Sequence, residues 1–134
     1  MSIAKVLFVC VENSARSQMA EALARSLGAG VIEPYSAGSR PSGQVRAEAV
    51  KVMAELGIDI SASKSKGFNQ LPTKDFDYVI TLGCRDKCPF YPAHKHIEWD
   101  IPDPEQPEDF IRVRDKIKTK LLQFIFRLKL DKEE

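Results

Sequence analysis

The chain has 134 residues, is 43% hydrophobic, and sets 20 lysines and arginines against 19 aspartates and glutamates, a net charge of +1. That length fits one domain with a real core. The near-cancelling charges exclude a global field drawing the chain to nucleic acid or a membrane. The start, Met1 to Lys5, lacks the basic and apolar regions of a secretory leader, and no apolar run is long enough to span a bilayer. A cytoplasmic monomer without cofactor or metal is the expectation. In that setting three cysteines read as catalytic or redox thiols, not as a structural disulfide framework.

The apolar run Val6 to Val9 reads as a buried strand ending at Cys10. Arg16 follows after five residues, and Met19, Ala20, Leu23 and Leu27 have helical spacing, with Gly28 as the stop. Val11, Glu12, Asn13, Ser14 and Ala15 therefore form a loop that wraps from a strand end into a helix N-terminus. Such a terminus has unpaired N–H groups and partial positive charge. Successive N–H groups in a tight loop form a nest for an oxyanion. Arg16 adds a planar fork suited to a phosphate-like group. The same field favours a thiolate on Cys10. The loop, with Ser17 behind it, is a candidate oxyanion cradle with a nucleophile at its floor. The bland alternative is a buried cysteine beside a surface arginine; strand, Cys, five-residue loop, Arg-Ser and helix together favour chemistry.

Val31 to Ser36 is a second strand, and Pro34 assigns it to an edge. Ala37 to Gly43 is loop. A helix follows over Gln44 to Leu56, with Val45, Ala49, Val52, Met53 and Leu56 as a core stripe. Ile58 to Gln70 reads as irregular, with a solvated stretch from Ser61 to Lys66. Phe76 to Leu82 is a strand ending at Gly83-Cys84. Lys87 to Pro92 is a proline-bounded loop, His96 to Trp99 a last short strand, and Asp100 to Pro104 a rigid loop. From Glu108 a long helix carries Phe110, Val113, Ile117, Leu121, Phe124 and Leu128 on one stripe, with Lys129 to Glu134 expected to fray.

Alternating strands and helices predict an α/β domain: a four-stranded parallel sheet with helices on both faces. Ligands of such sheets bind beyond the carboxyl ends of the strands. Cys10, Cys84 and the Asp103 loop all follow predicted strands, so they can converge on that edge.

Cys10 through Glu21 resembles the phosphate loop and following helix of the low-molecular-weight protein tyrosine phosphatases, and more closely the thioredoxin-coupled arsenate reductases built on that fold. Tyr35 to Gly38, Gly57 to Ser61, Phe76 to Leu82 and Asp103-Pro104 match further blocks in order, so the resemblance covers nearly the whole chain. It implies arsenate as substrate, with phosphate or sulfate as competing oxyanions, held by residues 11 to 17. It implies Cys10 as nucleophile, Arg16 as anion ligand and Asp103 as general acid. Pro102 and Pro104 stiffen the loop around that acid, where the bland reading is an exposed aspartate. A phosphatase needs nothing more. A reductase must dispose of two electrons, and Cys84 and Cys88 separate the two readings. By the resemblance, Cys84 attacks Cys10, Cys88 then attacks Cys84, and thioredoxin reduces the Cys84–Cys88 disulfide.

The chain departs from the pattern in places. Only Arg85, Asp86 and Lys87 separate the second and third cysteines, and the two cations there are expected to favour thiolates. Ala15 stands where many relatives have a second loop cysteine. Asn13, Glu21 and Ser36 match positions that bind potassium in some relatives, but Lys64, Ser65 and Lys66 replace the expected acidic partner. A lysine ammonium is expected in the cation's place. Two alternatives lie in other classes: a phosphatase working through a Cys10 phospho-enzyme, and a non-catalytic oxyanion sensor. A zinc site from His94, His96, Cys84 and Cys88 fits no known finger or ribbon spacing.

Overall fold

The computed structural model describes residues 3–84, 88 and 90–132. Arg85, Asp86 and Lys87, on which the cation expectation rests, lie outside the described residues, as do Glu133 and Glu134 of the expected frayed end.

β1 (Ala4–Cys10), β2 (Ile32–Gly38), β3 (Tyr78–Leu82) and β4 (Lys95–Trp99) form one parallel sheet in the order β2-β1-β3-β4. β1 is central and buried from Val6 onward, as a strand covered on both faces must be. Pro34 sits on the edge strand β2, where its missing N–H is tolerated. The chain winds from β1 to one side and from β3 to the other. The carboxyl ends of β1 and β3 thus flank the crevice where such sheets bind ligands.

Side chains alternate across β1. Val6, Phe8 and Cys10 join the larger core with α1 (Arg16–Leu27), α2 (Ala47–Ala54) and α3 (Asp109–Lys132). Leu7 and Val9 face a smaller cluster with Phe76, Val79 and Cys84. That second face is closed by a three-residue 3-10 helix, Phe68–Gln70, and by coil around Leu71, Tyr91 and Ala93. Helical elements thus cover both faces unequally, with all three α-helices in the larger core.

Element boundaries depart from the sequence reading where tertiary contacts intervene. β2 runs on to Gly38, which pairs in register with Cys10. α2 starts at Ala47, three residues late, because the preceding residues form a collar around the loop after β1. Lys129 to Lys132 remain helical, anchored through Leu128 in the core.

Candidate active site

The loop from Val11 to Ala15 is held by its carbonyls. The Cys10, Val11, Glu12 and Ser14 carbonyls accept hydrogen bonds from the backbone N–H groups of Ser39 (3.3 Å), Arg40 (2.7 Å), Ser42 (3.1 Å) and Arg46 (2.8 Å). Ser65 Oγ also donates to the Glu12 carbonyl at 2.6 Å. With these carbonyls engaged by the collar, the loop has the peptide arrangement in which successive amides can form a nest for an oxyanion. Ala15 offers no side-chain cap to α1, so the first amides of that helix add to the cradle. Gly38 permits this collar: a Cβ there would lie 2.6 Å from the Val11 carbonyl oxygen and 2.8 Å from the Asn13 nitrogen.

Asn13 takes a left-handed conformation (φ 52°), which its short polar side chain tolerates. That side chain is buried at the centre of a network. Its Oδ1 accepts from Gln18 Nε2 (2.8 Å) and the Lys66 N–H (2.9 Å), and its Nδ2 donates to Ser17 Oγ (2.7 Å). Ser17 Oγ lies 2.8 Å from Cys10 Sγ. Asn13 donates to that oxygen, which leaves the Ser17 hydroxyl proton available to the sulfur. Asn13 thus holds the loop from within, and Ser17 contacts the Cys10 sulfur directly.

Arg16 is buried, with Nη1 donating to the Ile101 carbonyl at 3.0 Å and Nε 3.8 Å from Asp103 Oδ1. Gly83 (φ 72°) makes room for it: a Cβ there would come 2.1 Å from the Ile101 oxygen and 2.7 Å from Arg16 Nη1. Cys10, Val11, Glu12, Ser14, Ala15, Arg16, Arg46, Gly83 and Asp103 line one cleft. Glu12 is exposed at its rim. Among the described residues, no aromatic side chain lines it.

Cys84 and Cys88 are joined in a disulfide with Cα atoms 5.7 Å apart, while Cys10 is a free thiol. Cys84 packs among Leu7, Val9 and Phe76, whereas Cys10 belongs to the opposite core. The structure therefore unites Cys10, Arg16 and Asp103, and separately Cys84 with Cys88. It does not bring Cys84 onto Cys10. Of the residues weighed for a zinc site, Cys84 and Cys88 are bonded to each other, and His96 Nε2 hydrogen-bonds the Tyr91 carbonyl oxygen at 2.7 Å.

The stretch read as solvated, Ser61 to Lys66, is instead partly packed behind the loop after β1. Ser65 is buried, the Lys64 carbonyl accepts from Gln18 at 2.9 Å, and Lys66 Nζ lies 3.3 Å from Glu21 Oε1 and 3.1 Å from Ser36 Oγ. Ser36 Oγ also donates to Glu21. Sequence reading missed Gln18, Arg46, Ser65 and Gly83. Only Gly83, a glycine between a strand and a cysteine, carried a visible signal. Tyr35, in one of the resemblance blocks, stays away from proton traffic: burial and the adjacent Glu33 push its phenol up to about 12.

The family model for low molecular weight phosphotyrosine protein phosphatase matches residues 5–134. The chain belongs to this family. Within it, the chain is 39% identical to the glutaredoxin arsenate reductase of Synechocystis sp., over 92% of this chain and 98% of that protein. A solved structure of an arsenate reductase in the phosphate binding state superposes with a TM-score of 0.83 and 37% identity, covering 94% of this chain and 99% of that one. The thioredoxin-dependent arsenate reductase of Corynebacterium glutamicum gives 0.78 at 30% identity, over 96% of this chain and 63% of that one. Among the described residues, no helix is long and apolar enough to cross a membrane.

Proposed function

We propose that this family member is an arsenate reductase working through a relay of Cys10, Cys84 and Cys88. The observation that carries this reading is a free Cys10 in an oxyanion cradle beside a closed Cys84–Cys88 disulfide. That is the thiol pattern left when such a relay has run once.

Arsenate sits on the loop amides and the Arg16 fork, as phosphate would. The Cys10 thiolate attacks arsenic, and Asp103 protonates the departing oxygen, which leaves as water. Cys84 thiolate then attacks Cys10 Sγ. The arsenic–sulfur bond pair passes to arsenic, reducing it from +5 to +3, and a Cys10–Cys84 disulfide forms. Cys88 thiolate attacks Cys84 Sγ, and Cys10 leaves as thiolate. Two thiols have lost the two electrons that arsenic gained. Cys84 is 1% exposed and Cys88 partly exposed, so an incoming reductant thiolate reaches Cys88 first. The first exchange requires Cys84 to leave the Leu7–Val9 cluster, and the left-handed Gly83 beside it is the natural pivot.

A thioredoxin-type dithiol is the reductant of this reading, its low potential of about −270 mV being sufficient for the reset. The reducing cytoplasm is the compartment that keeps such thiols available. The cradle also fits phosphate monoesters, so weak phosphatase activity accompanies reduction. A cleft without an aromatic clamp among its described lining residues disfavours phosphotyrosine as the main substrate.

The test is a thiol count. Reduced enzyme given one equivalent of arsenate should release arsenite and lose two of its three thiols. Peptide mapping should find Cys84 bonded to Cys88 and Cys10 free. Retention of all three thiols, with no arsenite, would contradict the relay.

A further inference from the structure

Asp103 is poorly held by its own contacts. Its side chain is 67% exposed, and the 3.8 Å approach to Arg16 exceeds hydrogen-bond distance. An exposed ion pair of that kind is worth little. Proline at 102 and 104 stiffens the loop but does not tether it to the anion cradle.

Arg46 makes that tether. Its backbone N–H donates to the Ser14 carbonyl of the anion loop at 2.8 Å. Its Nη1 donates to the carbonyl of Pro104, the residue after the acid, at 3.1 Å. Its guanidinium lies 4.6 Å above the centre of the Phe110 ring at the start of α3 and 3.5 Å from Glu48. Phe110 is wholly buried, so the arginine rests on a fixed platform. One residue thus touches the nucleophile's loop with its main chain and the acid's loop with its side chain. It also lines the cleft they share.

We infer that Arg46 is a positioning residue for the general acid, fixing the Asp103–Pro104 peptide relative to the Cys10 loop. Arg46 acts through Asp103 and not as a second ligand of the anion. The inference rests on the reading of Asp103 as general acid.

The experiment is a double-mutant cycle on the single-turnover rate of arsenite release from reduced enzyme at saturating arsenate, with phosphate affinity measured in parallel. Arg46→Met should slow release about 10- to 100-fold, a partial loss of the roughly 100- to 10,000-fold that a well-placed general acid contributes. Phosphate affinity should move less than about threefold, the signature of an effect on the step and not on binding. Arg46→Lys should recover part of the rate, since an ammonium can still reach the Pro104 carbonyl. In an Asp103→Asn background, Arg46→Met should cost almost nothing more. Should the methionine variant unfold, Arg46→Lys with Asp103→Asn completes the same cycle. Equal slowing by the Arg46 change in both backgrounds, or a loss of phosphate affinity with the rate unchanged, overturns the assignment. An Asp103→Asn enzyme as fast as the parent removes instead the general-acid reading on which it stands. A parent enzyme that releases no arsenite removes the reductase reading itself.

Discussion

Lys66 reaches across from the loop after α2 to place its ammonium 3.3 Å from Glu21 Oε1, with Ser36 Oγ 3.1 Å away. Asn13, Glu21 and Ser36 match positions that bind potassium in some relatives, and a lysine ammonium is the expectation for this chain; the Lys66 ammonium lies there, paired with Glu21. Added potassium should leave melting temperature and arsenate turnover unchanged. Lys66→Met should lower stability by about 1 kcal/mol, since Glu21 keeps its hydrogen bonds from Ser36 and Arg25, and should make stability respond to potassium. Thermal melts in sodium and potassium chloride check both. A potassium-dependent parent enzyme would contradict the account.

Gly83 is packed against the Arg16 guanidinium with no room for a side chain. Gly83→Ala should push Arg16 off the Ile101 carbonyl and weaken phosphate binding at least about tenfold, one lost charge-assisted contact being worth 1.5–3 kcal/mol. Left-handed backbone adds about 1–2 kcal/mol of destabilisation for any non-glycine residue. Titration calorimetry with phosphate reads the first effect and a melt the second.

Ser17 Oγ lies 2.8 Å from Cys10 Sγ, the proposed nucleophile. Ser17→Ala removes its hydrogen bond with the Cys10 sulfur and strands Asn13 Nδ2. The single-turnover rate should fall about 10- to 100-fold, since hydrogen bonds to charged groups contribute about 1.5–3 kcal/mol. Stopped-flow quenching with arsenite detection checks it. Unchanged kinetics would remove Ser17 from the mechanism.

Arg16→Lys keeps the charge and loses the planar fork that spans the Ile101 carbonyl and the cleft. A rate loss of about 100-fold is expected, comparable to removing one oxyanion donor. A variant within a few-fold of the parent would show that charge alone suffices.

What could be read from the sequence was local. Strand, cysteine, loop and arginine lie within one stretch, so Cys10 and Arg16 and the helix behind them are visible as pattern and period. Pro34 marked its strand as an edge for the same reason. Arg46 and Ser65 were not visible because their roles exist only in the folded chain: each contacts a partner more than thirty residues distant in sequence, Arg46 on Pro104 and Ser65 on Glu12. Three residues of 3-10 helix at Phe68–Gln70 are too few to show a period. The separation of Cys84 from Cys10 follows from which face of β1 each packs against, and a strand-end position does not state that.

The relay itself is tested most directly by arsenate turnover with NADPH, thioredoxin reductase and thioredoxin, comparing the parent with Cys84→Ser and Cys88→Ser. The account predicts arsenate-dependent NADPH oxidation by the parent and none by either variant. Turnover when glutaredoxin replaces thioredoxin would change the donor and leave the relay intact. No arsenate-dependent oxidation with either donor, together with equal cleavage of a phosphate ester by all three proteins, would contradict it and leave a phosphatase with two bystander cysteines.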